Sequence, residues 1–440
     1  MGKVPLPGGA FNAFARPSLT GVLLSAKRRL SVLLTVFALA LTMASCGSSG
    51  GGTSSVVPTA EIETPTLLPA PQETAAVDPT TDAEPTAIQS AVDTASVDPT
   101  ATVAAEAPSI VSCLSTRVQI AQLLLPLATQ PELAGAVAFA VDGELGGIGL
   151  LGSPDEGLPA ALQALQQASF VPVMVASDEE GGTVQRLANL LGPIPSAATS
   201  AQSKTPQEIQ RQWVEYGSRV KALGIDVVFG PVVDVGSGPG IESRSFSDDP
   251  DVVTTYGRAV ADGLIEAGVM PVLKHFPGHG RATADSHLEL PMTPSIEELR
   301  TYDLIPYVQI LADPTYAERS GVMIGHLAVP GLSDATPTSL SPETISGLLQ
   351  DEIGFNGLVF ADAMNMGAIV NTFGRLEALE LTLRAGTDIA ILGSLSDLTP
   401  ALDYLEQRAV DDALFAAVVE NRATRVLIAK GQQDLCAGAQ

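Results

Sequence analysis

The chain has 440 residues, and 49 acidic residues against 23 Lys and Arg give it a formal net charge of −26. Binding to nucleic-acid phosphates requires clustered Lys and Arg, so this composition argues against a nucleic-acid partner. The net negative charge favours solubility and repels other polyanions.

Residues 1–46 have the features of a secretory signal. Lys27, Arg28 and Arg29 precede the apolar run LSVLLTVFALALTMAS, which ends in small residues just before Cys46. The run is too short to favour a transmembrane helix, although a membrane-anchor helix is the alternative interpretation. The end of the run, LTMASC, resembles the lipobox of bacterial lipoproteins. This resemblance implies lipidation of Cys46 and an extracytoplasmic protein, attached to the cell membrane by its lipid anchor alone or secreted.

Residues 47–110 are predicted to be a disordered acidic linker. They consist mainly of Gly, Ser, Thr, Pro, Ala, Asp and Glu, and they contain no Lys or Arg. Such a composition cannot bury enough apolar surface to offset the entropy lost on ordering. The linker would hold the following domain away from a membrane surface.

Residues 111–435 show the alternation of an α/β fold. Short apolar runs that end in polar or Gly-rich stretches are followed by amphipathic, helix-like segments. Near-continuous apolar strands predict a parallel sheet covered by helices, and seven or eight units favour a TIM-type (β/α)8 barrel as a single catalytic domain. The apolar runs are LGGIGLLG, VPVMVASDEEGG, GIDVVFGPVVDV, VMPVLKHFPGHG, GVMIGHLAVPG, GLVFADAMNMGA and TDIAILGS.

The segment GIGLLG, Gly147 to Gly152, matches the dinucleotide-binding pattern G-x-G-x-x-G. No acidic residue follows at the expected spacing of about twenty positions. We therefore interpret the segment as a tight barrel turn, and we predict no cofactor.

Two cysteines flank the globular region. In an oxidising compartment Cys113 and Cys436 can pair, because a barrel brings its ends together. Two free or partly buried thiols are the alternative, since spacing alone does not establish a disulfide.

Three of the four histidines lie in LKHFPGHGRATADSHLELP, residues 273–291. Histidine serves both as a metal ligand and as an acid or base near neutral pH. A helical zinc pair of His275 and His279 is disfavoured, because Pro277 and Gly278 interrupt any helix between them. A non-helical metal site that includes His287 is the alternative, and our prediction is no metal.

Acid–base chemistry fits the cluster better. Asp285 and His287 are separated by one residue, so in an extended segment both side chains point the same way. A carboxylate beside an imidazole fixes its tautomer and aims its other nitrogen at a substrate. Asp362 follows an apolar strand, at the end of a barrel where catalytic residues lie, although it could simply cap the next helix.

Several motifs, in this order, resemble family 3 glycoside hydrolases of the β-N-acetylglucosaminidase branch. They cover nearly all of residues 115–430. The matching segments are SDEEGGTVQRL, FGPVVDV, RSFSDDP, KHFPGHG with DSH and LELP, PTSLSPETISGLLQDEIGFNGLVFADAMNM, and AGTDIAIL.

The resemblance implies a retaining, exo-acting enzyme that passes through a covalent glycosyl-aspartate. By motif match, Asp362 is the nucleophile, His287 is the general acid/base, and Asp285 orients His287. The implied substrates are N-acetylglucosamine-containing oligosaccharides from cell wall or chitin, and we expect a monomer. The implied sugar contacts are Asp178, Arg186, Arg244, Lys274 and His275.

Other residues receive structural interpretations. We expect His279 to be structural, His326 to border the pocket and Trp213 to pack in the core. Four positions depart from common family residues and leave the sugar and aglycone preference open: Thr183, Arg281, Ala361 and Ala363.

Two kinds of alternative function remain open at this stage. One is a β-glucosidase, β-xylosidase or glycoside phosphorylase of the same family. The other is a catalytically inactive, lipid-tethered carbohydrate-binding protein, which the joint presence of Asp285, His287 and Asp362 argues against.

Overall fold

The computed structural model describes residues 110–436 of the chain. Eight parallel strands form a closed barrel in which each strand pairs with the strands before and after it, and the last pairs with the first. The predicted α/β barrel is therefore confirmed. The barrel strands are β1 Leu124–Thr129, β2 Gly147–Leu151, β3 Met174–Ser177, β6 Val227–Val232, β7 Met270–Phe276, β8 Gly321–Ile324, β9 Leu358–Ala361 and β10 Ile389–Leu392; an antiparallel ribbon of β4 Glu179–Gly181 and β5 Val184–Gln185 follows β3.

Helices surround the barrel, and local sequence explains several of their starts. Helix α6, for example, begins with a capping box in which Thr205 and Glu208 satisfy each other's backbone N–H groups. The described helices are α1 Thr116–Ala121, α2 Leu133–Val141, α3 Leu158–Ala168, α4 Ala188–Leu191, α5 Ala197–Ser203, α6 Pro206–Ala222, α7 Pro250–Glu266, α8 Ile296–Arg300, α9 Ile305–Leu311, α10 Pro314–Arg319, α11 Gly367–Val370, α12 Arg375–Ala385, α13 Leu398–Asp411 and α14 Ala413–Ala429, together with a π-helix at Glu343–Glu352.

The core lies inside the barrel and between the barrel and its helices. All residues of β8, β9 and β10 are buried, as expected for parallel strands covered on both faces. Phe229 and Phe360 meet edge to face, with ring centroids 5.8 Å apart. Trp213 is buried in α6 against Tyr216, so its predicted packing role is confirmed.

The apolar run LGGIGLLG is confirmed as a strand, and only the interpretation of GIGLLG within it as a tight turn was wrong. Residues Gly147–Leu151 form β2. A Cβ at Gly149 would lie 2.5 Å from Leu127 Cδ2, and one at Gly147 would lie 3.1 Å from Leu125 Cδ1. The glycines therefore leave room for the leucine side chains of β1.

Strand β1 was absent from the predicted strands. Only two residues separate it from α1, so no turn signal marks the change from helix to strand. Pro126 also lies inside the strand, where proline is unusual, and this further weakened the strand pattern.

A disulfide joins Cys113 and Cys436, which are 323 residues apart in sequence. Of the two alternatives for these cysteines, the pairing is therefore confirmed. The bond ties the start of the barrel domain to its end.

Within residues 110–436, no helix has the length and apolar character that crossing a bilayer requires. The signal segment 1–46, with Cys46, lies outside the described residues, as does the linker 47–110 except for its last residue.

Candidate active site

A cavity of about 330 Å³ opens at the carboxyl ends of the strands. Active sites of barrel enzymes lie at this end. Seven of the eight predicted catalytic and sugar-binding residues line the cavity, and Asp285 is the exception. The polar lining comprises Asp178, Glu180, Arg186, Arg244, Lys274, His275, His287, Asp362 and Asn365; apolar side chains from the barrel, such as Leu127, Phe229, Met323 and Ile391, complete it.

A buried cluster of charged side chains forms one wall of the cavity. Lys274 Nζ lies 2.8 Å from Asp178 Oδ1 and 2.6 Å from Glu180 Oε1. Arg244 donates two hydrogen bonds to Glu180, of 2.7 and 2.9 Å. Arg186 Nη2 donates to the second oxygen of Asp178 at 3.1 Å. The cluster thus pairs three cations with two carboxylates.

The cluster keeps its members charged despite burial. Burial opposes ionisation of Glu180, but Lys274 and Arg244 outweigh it and lower its pKa to about 2. Burial likewise lowers the pKa of Lys274, but Asp178 and Glu180 raise it to a net value above the ordinary one. Both groups are therefore ionised throughout the neutral range, and charged groups of this kind form the stronger, charge-assisted hydrogen bonds.

His275 is held by Asp234, a fully buried carboxylate beneath the cavity. Asp234 Oδ2 lies 2.7 Å from His275 Nδ1, and the same carboxylate accepts the backbone N–H of His275 and of His279. Arg244 Nη2 lies 3.3 Å from His275 Nε2. Because a carboxylate only accepts, Nδ1 of His275 carries the proton donated to Asp234.

Asp362 lies one residue beyond β9 and points into the cavity. Its Oδ1 accepts the backbone N–H of Ala363 at 2.8 Å. Burial would raise the pKa of this carboxyl, but the nearby imidazoles of His275 and His326 and the Ala363 N–H lower it below its usual value. Asp362 is therefore an ionised carboxylate, as a nucleophile requires.

Asp285 and His287 contact each other as predicted, but in a turn and not in an extended segment. Asp285 Oδ1 lies 2.8 Å from His287 Nδ1 and also accepts the His287 backbone N–H at 2.9 Å. Burial opposes the ionised form of Asp285, but these two contacts lower its pKa. The His287 side chain is 63% exposed, so its Nε2 is open to a substrate.

The other two histidines support these elements. His279 is buried and its Nε2 contacts Ser286 Oγ at 3.1 Å, beside His287, so a structural role is confirmed. His326 is wholly buried and does not line the cavity, which corrects its expected place at the pocket border. Its Nε2 contacts the carbonyl of Ala363 at 3.1 Å and thereby supports the residue after Asp362.

Three site residues were missed from sequence, although all three lie inside motifs quoted above. Glu180 is in SDEEGG, Asp234 is in FGPVVDV and Asn365 is in GLVFADAMNM. A run of three acidic residues and a strand-terminal aspartate were the available signals. Lys274 and His275 belong to strand β7, whereas His287 lies in the loop that follows this strand.

A larger cavity, of about 470 Å³, lies at the amino ends of the strands. Burial lowers the pKa of Lys430 there to about 7, and its protonated form donates to Gln122 Oε1, the Gly146 carbonyl and the Pro172 carbonyl. Its three donors are thus used within the chain, in keeping with the structural role of this end of the barrel. Among residues 110–436 there is also no group of three or more His, Cys, Asp or Glu placed to hold a metal ion.

Replacing Glu180 with glutamine is expected to destabilise the fold and weaken activity together. The change removes the carboxylate that pairs with both Lys274 and Arg244. Removing one partner of a buried ion pair costs about 3–5 kcal/mol. Denaturant unfolding and kcat/KM are the measurements, with exposed Glu156→Gln as the matched control. Unchanged stability and activity would show that Glu180 does not organise the cluster.

Glu179 should make stability pH-dependent. Burial raises its pKa from 4.5 to about 7, against the hydrogen bonds from Ser177, Tyr216 and the Leu187 N–H. The folded state therefore binds the proton more tightly, and the stability this adds is complete below pH 4.5 and lost as pH rises through 7. Glu179→Gln should remove this dependence. The free energy of unfolding of the variant minus that of wild type, measured in denaturant, should therefore be more favourable at pH 8 than at pH 5. Glu156→Gln should show no such difference.

Comparison with known proteins identifies the class. The Glycosyl hydrolase family 3 N terminal domain matches residues 116–429, and the chain therefore belongs to glycosyl hydrolase family 3. This confirms the family resemblance of the motifs.

Individual relatives agree with this assignment. Beta-hexosaminidase LpqI of Mycobacterium tuberculosis is 40% identical over 346 residues, which cover 76% of this chain and 87% of that protein. The solved structure of M. tuberculosis LpqI superposes with a TM-score of 0.66 at 39% identity and covers 72% of this chain and 94% of that one. A family 3 β-N-acetylglucosaminidase from Paenibacillus sp. gives a TM-score of 0.66 at 28% identity and covers 74% and 64%.

Proposed function

We propose that this chain is a retaining, exo-acting β-N-acetylglucosaminidase. It releases terminal N-acetylglucosamine from cell-wall or chitin-derived oligosaccharides through a covalent glycosyl-aspartate. The observation that carries the proposal is that Asp362 and His287, from two different loops, line one cavity together with a cluster of cations. The cavity volume lies within the range of about 300–1,000 Å³ typical of small-molecule sites.

In the first step, the Asp362 carboxylate attacks the anomeric carbon of the terminal sugar. The bond from that carbon to the glycosidic oxygen breaks, and His287 Nε2 gives its proton to the departing oxygen. Asp285 holds Nδ1 of the same ring, so that Nε2 faces the bond.

In the second step, water hydrolyses the glycosyl-aspartate bond. The now neutral His287 takes a proton from the water, whose oxygen bonds to the anomeric carbon while the Asp362 carboxylate departs. Two inversions at one carbon give net retention of configuration. A neutral imidazole also avoids the repulsion that a second carboxylate would bring to the regenerated Asp362.

The remaining predicted residues bind the sugar. Asp178 accepts hydrogen bonds from hydroxyl groups, while Arg186, Arg244 and Lys274 donate to them. His275, fixed by Asp234, adds a directed ring nitrogen to the same wall. Apolar side chains close the inner end of the cavity, which suits the end of a sugar chain better than its middle.

We further propose the domain organisation and location of the protein. Residues 1–46 direct export, Cys46 is lipidated, residues 47–110 are the linker, and residues 111–435 are the catalytic domain. The family match, at residues 116–429, lies within that last range. Cys46→Ser should shift the protein from the membrane fraction to the soluble fraction of cells; an unchanged distribution would reject lipid anchoring.

A panel of 4-nitrophenyl glycosides tests the function. Purified protein should hydrolyse the N-acetyl-β-glucosaminide in preference to the β-glucoside and β-xyloside, with no acceleration by phosphate. Faster release from glucose or xylose would overturn the substrate, and a phosphate requirement would make the enzyme a phosphorylase. No turnover of any sugar, together with measurable sugar binding, would indicate a binding protein.

A further inference from the structure

The turn that carries His287 is hydrogen-bonded to the segment that follows Asp362. Residues 286–288 present three consecutive backbone carbonyls, and each one accepts a hydrogen bond from residues 367–371. We call this contact the loop seam. Its three bonds run from Ala368 N to the Ser286 carbonyl (3.1 Å), from Gly367 N to the His287 carbonyl (3.0 Å) and from Asn371 Nδ2 to the Leu288 carbonyl (2.9 Å).

Gly367 makes the close approach at the seam possible. A Cβ at this position would lie 2.2 Å from the carbonyl oxygen of Leu288, 2.5 Å from its carbonyl carbon and 2.8 Å from the carbonyl oxygen of His287. These atoms are backbone, so they cannot rotate away as the end of a flexible side chain can. Any larger residue at 367 must therefore push the His287 turn outward.

The seam joins two otherwise separate parts of the barrel. Residues 286–288 follow β7, whereas residues 367–371 follow β9, and β8 lies between these strands. The His287 side chain is 63% exposed, and its ring hydrogen-bonds to Asp285 alone among the described residues. Its position over the cavity is therefore set mainly by its backbone, which the seam holds.

We propose that Gly367 and Asn371 are positioning residues that set the distance between the His287 imidazole and the Asp362 carboxylate. Gly367 lies five residues after Asp362, so the seam fixes the turn of His287 to the segment that begins at Asp362. Neither Gly367 nor Asn371 needs to touch the sugar. The inference rests on the proposed function, because it takes His287 as the proton donor and Asp362 as the nucleophile.

The test compares two leaving groups in Gly367→Ala and Asn371→Ala. Phenyl N-acetyl-β-glucosaminide needs protonation of its leaving oxygen, and the 2,4-dinitrophenyl glycoside hardly does. A misplacement of about 1 Å can cost about 100-fold, so Gly367→Ala should lose about that much kcat/KM on the phenyl substrate and much less on the dinitrophenyl one. Asn371→Ala, which removes one exposed hydrogen bond, should shift the ratio in the same direction by less.

The matched controls are Gly135→Ala and Asn356→Ala, which should behave as wild type. A Cβ at Gly135 would lie 3.9 Å from its nearest neighbour, and Asn356 makes a comparable side-chain bond to the Gly354 carbonyl far from the cavity. Thermal unfolding of all four variants separates misfolding from misplacement. If Gly367→Ala does not fold, Asn371→Ala decides the question by the same leaving-group ratio.

A double variant, His287→Ala with Gly367→Ala, tests whether the effect of Gly367 on the reaction depends on His287. If Gly367 acts through His287, the double variant should be no slower on the phenyl substrate than His287→Ala alone. Further loss, equal for both leaving groups, would mean a general structural role and reject the proposal. Wild-type protein inactive on N-acetylglucosaminides would reject the proposed function itself. Suppose that the wild type is active and that His287→Ala loses activity mainly on the phenyl substrate. If Gly367→Ala and Asn371→Ala then equal their controls, the positioning role of the loop seam is rejected and the proposed function stands.

Discussion

Asp362→Ala and Asp362→Asn are expected to reduce kcat by at least about 10⁴-fold. Losses of this size follow when one residue of a nucleophilic catalytic group is removed. Asn keeps the shape of Asp and can no longer form the ester to the anomeric carbon. The fold should survive, since within residues 110–436 the Asp362 side chain accepts a single hydrogen bond, from the N–H of the next residue. Exposed Asp351→Asn is the matched control.

A trapped intermediate checks the same residue by direct observation. The fluorine of a fluorinated N-acetylglucosaminyl donor slows both steps, whereas a good leaving group speeds the first step alone, so the glycosyl-enzyme accumulates. Peptide mass spectrometry should then find one sugar on the peptide that contains Asp362, and none after Asp362→Asn. A label on any other residue would contradict the assignment.

His287→Ala is expected to slow the reaction by about 100-fold or more, which is the usual contribution of general acid–base catalysis. The loss should be greatest for phenyl and natural glycosides and smallest for the dinitrophenyl glycoside, which leaves without protonation. Glu289→Ala, an exposed residue in the same turn, is the control. An equal loss on every leaving group would show that His287 does not donate the proton.

A comparison of leaving groups separates the role of Asp285 from that of His287. The lowered pKa of Asp285 keeps it ionised across the neutral range, so Asp285→Asn should act through His287 and lower kcat in the same leaving-group order. Its effect should be smaller than that of His287→Ala, because the imidazole remains. If Asp285→Asn lowers kcat on the dinitrophenyl substrate as much as on the phenyl substrate, Asp285 has a role other than orienting His287.

The barrel was predictable because its signals are local and repeated. Each barrel strand is a mainly apolar run of four to seven residues, and the longer helices have a polar face and often a capping residue. The spacing of apolar residues and the turn residues between runs therefore define most units. The prediction failed where these signals overlapped. Strand β1 follows its helix almost without a turn, and β2 contains the glycines that make it resemble a nucleotide-binding loop.

The contacts of the charged cluster were not predictable in the same way. Lys274 and Arg244 were expected to face the sugar, but nothing local indicates that Glu180 lies between them. Glu180 is 64 residues before Arg244 and nearly 100 before Lys274. Their meeting depends on how β3, β6 and β7 stand side by side in the closed barrel.

The sequence by itself determined the contacts that span a few residues, and the tertiary structure decided the rest. Asp285 meets His287 because two residues in one turn cannot separate far, and the same holds for the capping boxes. The distance from His287 to Asp362 has no such local constraint. It depends on closure of the barrel and on a glycine at 367, whose missing Cβ lets two loops approach within hydrogen-bonding distance.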